Sequence, residues 1–315
     1  MKKILTLILL EVIIIFCLTL VIYSKRNNLQ FTILQKNKFI WSKSGKLSYY
    51  YEPIAGTIIK DGYDQGWPFF VPYTIAINKE TLNEKYDYQV DKPQNTLRII
   101  TLGDSFTFGV FVDTAKNWTE VLEDKFSNCK KKKVEVINLG VPGYDISYSV
   151  ERLKKRGLKY SPDLIVFFVK YDDLLENKEF FNNEKMEKIK KQLKSTGEYQ
   201  LEIKKGNYYP EWQIAYNQLR QIYSEKNIIN INLSNIVQIR QIYSEKLILL
   251  TVMNNNTDIA MLEAAHETNA VLYRLRNFPK KEFEFPDNHP NIEGHNTIAK
   301  ELYEFLSKQK IVQCE

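Results

Sequence analysis

From residue 97 onward, short apolar runs alternate with stretches whose apolar residues recur at helical spacing. The runs at 97–102, 134–138, 164–169, 247–252 and 270–275 are rich in branched side chains, and they predict buried strands. Between the first two, Trp118, Val121, Leu122 and Phe126 share one face of an expected amphipathic helix over 117–126. Near the end, Ile298, Ala299, Leu302 and Phe305 mark a second such helix. Strands alternating with helices predict an α/β domain over 96–312, a three-layer α/β/α arrangement around a parallel sheet. The alternation is interrupted at about 178–246. There, 185–194 is expected to be a charged helix, 198–205 a hairpin strand, and 211 onward helical again. Arg220-Gln-Ile-Tyr-Ser-Glu-Lys226 recurs unchanged as Arg240-Gln-Ile-Tyr-Ser-Glu-Lys246, which two copies make a local duplication rather than a solenoid. The interruption is expected to be an insert in the alternating domain.

The N-terminal part divides in two. Residues 4–23 are about 20 mostly apolar residues, enough to cross a bilayer as a helix, flanked by Lys2 and Lys3 and by Lys25 and Arg26. No small-x-small cleavage site follows, so 1–26 is expected to be a retained single-pass anchor. Phe16 precedes Cys17 where lipid attachment would need a small residue. Glu11 inside the span is relieved by a helix partner or by protonation, or is simply tolerated. Basic residues nearly balance across the span, with Lys36 and Lys38 on the far side, so charge alone does not orient it. Residues 27–95 form an extension with turn signals at Gly56, Gly62 and Gly66-Trp67-Pro68. Its aromatics (Tyr49 to Tyr51, Trp67, Phe69 and Phe70) either pack against the core, the preferred reading, or stack on sugars. Beyond that, its role is expected to be leading the chain from membrane to domain.

Two distant segments carry the chemistry. Gly103-Asp104-Ser105-Phe106-Thr107-Phe108-Gly109 follows the first predicted strand, and Asp287-Asn288-His289-Pro290-Asn291 precedes the last helix. A serine hydroxyl becomes an effective nucleophile when an imidazole takes its proton and a carboxylate orients that imidazole. Ser105, His289 and Asp287 fill those roles, with Ser105 at the carboxyl end of a strand, where open α/β sheets place ligands. Thr107 in the second glycine position rules out the Gly-x-Ser-x-Gly elbow. Plainer readings stay open: His289 closing the last helix, Asp287 serving a turn after Pro286, and the triplet arising by chance. Of the other histidines, His295 ranks second as base and His266 reads as a surface or satisfied residue. Cys17, Cys129 and Cys314 are scattered, giving no disulfide framework and no metal-ligand spacing. The mechanism needs no metal and no cofactor.

These blocks resemble the SGNH or GDSL-type serine hydrolases, in particular membrane-anchored bacterial members. Asn138-Leu139-Gly140-Val141-Pro142-Gly143 matches the second block, and Asp287-x-His289-Pro290-Asn291-x-x-Gly294-His295 the last. The resemblance implies a flavodoxin-like strand order and an oxyanion hole built from the Ser105 and Gly143 N–H groups. It implies a third donor from an asparagine after the 164–169 strand, where this chain carries Asp172. An ionised carboxylate cannot donate, and losing one oxyanion donor costs about 100- to 1000-fold. Asp172 is therefore held protonated by burial, or activity is weak, or another group substitutes. The resemblance further implies a serine esterase working through an acyl-enzyme, foremost deacetylating an envelope or extracellular carbohydrate from an extracytoplasmic domain. The alternatives are carbohydrate O-acetyl transfer, or a non-catalytic binding or assembly module disabled by Asp172.

Charge adds little to this. A net charge of +6 over 44 basic and 38 acidic residues makes no case for nucleic acid. Lys130 to Lys133 is a basic run read as a solvated loop, or else as a contact with anionic lipid or wall polymer. The expected partners are an acylated carbohydrate or other ester, and the membrane through the anchor. Oligomeric state is left undetermined by the sequence.

Overall fold

The computed structural model describes residues 39–44, 47–64, 70–180, 183–204, 210–252 and 255–314. The expected anchor, with Glu11 and Cys17, lies outside them, as do Lys36, Lys38 and the turn at Gly66-Trp67-Pro68. Among the described residues no helix is long and apolar enough to cross a membrane. The extension forms two antiparallel hairpins, β1 (Phe39–Ser44) with β2 (Leu47–Pro53) and β3 (Ile58–Asp64) with β4 (Phe70–Ala76). A five-stranded sheet comes next, made of β5 (Thr96–Leu102), β6 (Lys133–Asn138), β7 (Leu164–Phe168), β8 (Lys246–Val252) and β9 (Val271–Leu275). Its order is β6-β5-β7-β8-β9 and every pairing is parallel, the flavodoxin-like arrangement.

Both faces of this sheet are covered, which explains why its strands read as continuous apolar runs. Alternate residues of β7 feed separate cores: Leu164, Val166 and Phe168 enter one, Ile165 and Phe167 the other. The first core is closed by α2 (Trp118–Lys125) through Trp118 and Leu122, and by α10 (Ile292–Lys308) through Ile298, Ala299, Leu302 and Leu306. The second is closed by α3 (Ile146–Arg152), α8 (Glu225–Ile242) and α9 (Asn255–Thr268). Fully burying each such side chain contributes about 1.5–3 kcal/mol. Asn117 caps α2 by accepting from the Thr119 and Glu120 N–H groups, and Asn291 caps α10 by accepting from Gly294 N–H at 3.0 Å. Asn291, not His289, therefore closes the last helix.

Two expectations are corrected. Residues 198–205 do not make a hairpin strand: α6 (Glu198–Lys204) is helical and buries Tyr199 among Leu193, Ala215 and Tyr216 of α5 (Asn183–Ser195) and α7 (Pro210–Ile222). Its alternating pattern has no strand to pair with among the described residues, so packing between helices decides. Cys129 and Cys314 are joined as a disulfide with Cα atoms 4.3 Å apart, although 185 residues separate them in the chain. The ends of α2 and α10 lie against one core, and that brings the two cysteines together. The extension packs against the domain, as its preferred reading has it. Leu47, Tyr50 and Tyr51 pack on Val141, Tyr144 and Tyr148, while Ile59, Tyr63, Tyr73 and Ile75 pack on Phe108, Val112 and Phe285. Tyr50 and Tyr51 are thus packing residues. The rings of Tyr49, Trp67, Phe69 and Phe70 lie outside the described side chains.

Candidate active site

β5 ends at Leu102, and the chain turns through Gly103 into the single-turn helix α1 (Ser105–Phe108). The Asp104 side chain caps this turn, accepting from Phe106 N–H at 2.9 Å, and Ser105 occupies its first position. An N–H at that position has no partner inside its helix. Ser105 Oγ lies 2.8 Å from His289 Nε2, 184 residues away in sequence. His289 Nδ1 lies 3.0 Å from Asp287 Oδ2, off the line of a ring hydrogen bond, so the contact is one of charge that strengthens when the imidazole takes a proton. The structure brings together the three residues named from the sequence.

A tight turn sets the short Asp-x-His spacing. Asn288 N–H donates to Phe285 C=O and Phe285 N–H to His289 C=O, each at 2.8 Å, with Asn288 left-handed at φ +68°. Asparagine tolerates that conformation better than most residues. Asp287 also accepts from His289 N–H at 3.3 Å. Phe106 and Phe111 hold the imidazole from two sides, with ring centroids 5.2 and 5.3 Å from it. Tyr63 of the β3–β4 hairpin packs on Phe111 and Phe285, so the extension braces the histidine turn.

Lys170, directly after β7, carries a charge that no sequence motif singled out. Its Nζ donates to Asp104 Oδ2 at 2.5 Å and to Asp173 Oδ1 at 3.1 Å, and it sits 4.4 Å from the Phe106 ring centroid. Ser105 Oγ lies 3.5 Å from the same Asp104 oxygen. Burial alone would lower the Lys170 pKa, but the charges of Asp104 and Asp173 outweigh it and push it upward. Burial alone would likewise raise Asp104, yet Lys170 and the Phe106 N–H draw it down. For Asp173 burial wins over Lys170, and with help from the Asp104 charge it takes the carboxyl up to about 7. A cation immediately after a buried strand, at the sheet's carboxyl end, was the available signal. Asp172 is exposed on the first turn of α4 (Tyr171–Leu175), with no hydrogen bond or ion pair among the described residues. The burial expected for it from the sequence is absent.

The second expected donor comes from the loop after β6. Val141 N–H donates to Gly103 C=O at 3.3 Å and Asn138 Nδ2 to Thr107 C=O at 2.9 Å, so this loop runs against the serine turn. Gly140 has no room for a side chain: an added Cβ would stand 2.4 Å from Phe108 N. Gly143 takes φ +73°, and among the described residues its N–H donates to no protein acceptor. Lys178, at the start of the expected insert, donates to Gly143 C=O and lies beneath the rings of Trp212 and Tyr216 of α7. The insert thereby touches the loop after β6.

The remaining histidines do not meet Ser105 among the described residues. His295 is fully buried and its Nδ1 accepts from Trp118 N–H at 3.2 Å, with burial and then the nearby His289 charge drawing its pKa down to about 3. His266 is exposed on α9. Among the described residues no group of three or more His, Cys, Asp or Glu side chains could hold a metal ion.

A family model described as GDSL-like Lipase/Acylhydrolase matches residues 99–302. Among solved structures, the chain is similar to the psychrotrophic esterase EstA from Pseudoalteromonas sp., at 18% identity over 70% of this chain and 100% of that one, with a TM-score of 0.45. It is similar to a lipase/acylhydrolase from Enterococcus faecalis at 16% identity over 68% and 96%, with a TM-score of 0.42. It is also similar to a two-domain esterase active on acetylated mannans, at 15% identity over 70% and 52%, with a TM-score of 0.45. The chain thus spans about half the length of that two-domain protein. No curated protein matches the sequence.

Proposed function

Because the chain belongs to the GDSL-like lipase/acylhydrolase family, we propose that it is a serine esterase that removes acetyl groups from an envelope or extracellular carbohydrate through an acyl-enzyme at Ser105. The observation that carries this reading is the 2.8 Å contact between Ser105 Oγ and His289 Nε2. Ser105 Oγ attacks the ester carbonyl carbon while its proton passes to His289 Nε2. Asp287 steadies the imidazolium through the charge contact at Nδ1. The N–H groups of Ser105 and Gly143 hold the oxyanion. As the intermediate collapses, the carbon–oxygen bond to the sugar breaks and His289 returns the proton to the leaving alcohol. Water then attacks the acetyl-serine, giving up a proton to His289, and acetate leaves with Ser105 restored. Lys170 places a cation beside the serine turn, paired with Asp104 and Asp173. Its ammonium is held one carboxylate oxygen from the serine hydroxyl.

Residues 1–26 anchor the chain, with the domain on the extracytoplasmic side. The apolar run and the Cys129–Cys314 disulfide support that placement, since structural disulfides persist in oxidising compartments. A fluorophosphonate probe together with acetate release from an acetylated polysaccharide tests the function. Labelling and release that vanish in Ser105→Ala are expected. A folded, unlabelled wild-type protein would instead identify a non-catalytic module, and acetate appearing on an added sugar acceptor rather than in solution would identify a transferase.

A further inference from the structure

Gly143 is gripped from both sides through carbonyl oxygens. On one side Tyr51 Oη donates to Pro142 C=O at 2.7 Å; on the other Lys178 Nζ donates to Gly143 C=O. The first contact matters more, because the Pro142 carbonyl and the Gly143 N–H belong to one planar peptide group. Fixing its oxygen fixes the direction of its hydrogen, and a donor at the oxygen polarises the N–H into a stronger donor. Tyr51 is itself held for this task. Its ring lies 5.1 Å from Tyr144, edge to face, and 5.8 Å from Tyr148, and its own carbonyl accepts from Tyr144 Oη. The hydroxyl would also stand 3.0 Å from a Cβ placed on Gly143, close enough that Tyr51 would have to shift by a few tenths of an ångström.

We infer that Tyr51, from the N-terminal hairpin and outside residues 99–302, is a positioning residue that aims and polarises the Gly143 N–H of the oxyanion hole. The inference rests on the esterase reading and explains why the hairpin is built against the second block. The β1–β2 hairpin then belongs to the working enzyme as an outer support of the transition state.

Tyr51→Phe in the full chain removes one oxygen and keeps the ring. Of the ten prolines in the chain, only Pro142 is followed by glycine. Labelling proline with carbonyl 13C and glycine with 15N therefore isolates the Pro142–Gly143 peptide as a single amide cross-peak. The expected result is a shift of that peak together with a fall in kcat of about 10-fold and a KM within about twofold on a nitrophenyl acetate, because only transition-state stabilisation is lost. A peak that does not move overturns the inference whatever happens to turnover, and so does an unchanged kcat. Failure of the esterase reading looks different: the unaltered chain would show no Ser105-dependent turnover at all.

Discussion

Arg152 Nη1 donates to Glu52 Oε1 at 2.6 Å, joining residues 100 apart in the chain where solvent barely reaches: the Arg152 side chain is 0% exposed and that of Glu52 11%. Arg156 adds two further bonds to the same carboxylate at 2.9 Å, and Arg152 also donates to Thr81 C=O at 2.6 Å. Glu52→Ala strands a buried guanidinium and should cost about 3–5 kcal/mol, read as a lower denaturation midpoint. The same pair sets an acid limit. Burial acts to raise the Glu52 pKa, but the Arg156 bond and the Arg152, Arg156 and Lys155 charges outweigh it and bring it to about 2. A carboxylate lowered in the folded state stabilises fully above its ordinary pKa of 4.5 and loses that contribution as pH falls through about 2. Melting curves of wild type and Glu52→Gln should therefore differ most above pH 4.5 and converge near pH 2.

On the proposed mechanism, Ser105, His289 and Asp287 are expected to contribute unequally. Ser105→Ala and His289→Ala remove the nucleophile and its base and should each cost about 10⁶-fold in kcat, while Asp287→Asn should cost no more than about 10⁴-fold. Asp287 contacts the imidazole off its N–H axis, and both side chains are about a quarter exposed, at 28% and 24%. Steady-state hydrolysis of a nitrophenyl acetate measures the ranking, and an Asp287→Asn loss equal to that of His289→Ala would contradict it.

Lys170 and Asp172 should behave in opposite ways. Lys170→Met leaves Asp104 buried without its cation, 3.5 Å from the nucleophile, and should lower kcat at least about 10-fold and stability by about 3–5 kcal/mol. Asp172→Asn alters an exposed side chain and should shift turnover by no more than about twofold. A tenfold rise in Asp172→Asn would place that carboxylate at the oxyanion.

Reducing the Cys129–Cys314 bond should destabilise the domain, because the bond closes a loop spanning 185 residues. A loss of about 2–5 kcal/mol is expected. Thermal melts with and without reductant measure it, and Cys314→Ser should melt alike in both conditions.

The features legible in the chain were local. Five strands, the helix over 117–126, and the segments carrying Ser105 and His289 each occupy a short contiguous pattern whose period or spacing reports the element directly. The pairing of Asp287 with His289 was also legible, since Pro286 left no other carboxylate at a workable spacing, and the turn through Asn288 sets the two side chains 3.0 Å apart. Lys170 was harder to read: its role depends on Asp104 and Asp173, which meet it only once β5 and β7 lie side by side.

The repeated heptapeptide marks the boundary between the two kinds of information. Arg220–Lys226 ends α7, then caps and enters α8, where Ser224 accepts from Asn227 N–H at 3.3 Å; the identical Arg240–Lys246 ends α8 and leads into β8. Both copies terminate a helix, as their shared residues dictate. Their next elements differ because Lys246 is drawn into a parallel ladder beside Leu164, whereas Lys226 meets no strand. The strands, the serine and the histidine were thus written in contiguous residues. Which distant groups press on them, Tyr51 and Lys170 above all, was settled by packing in three dimensions, because those contacts form between elements that share no local pattern.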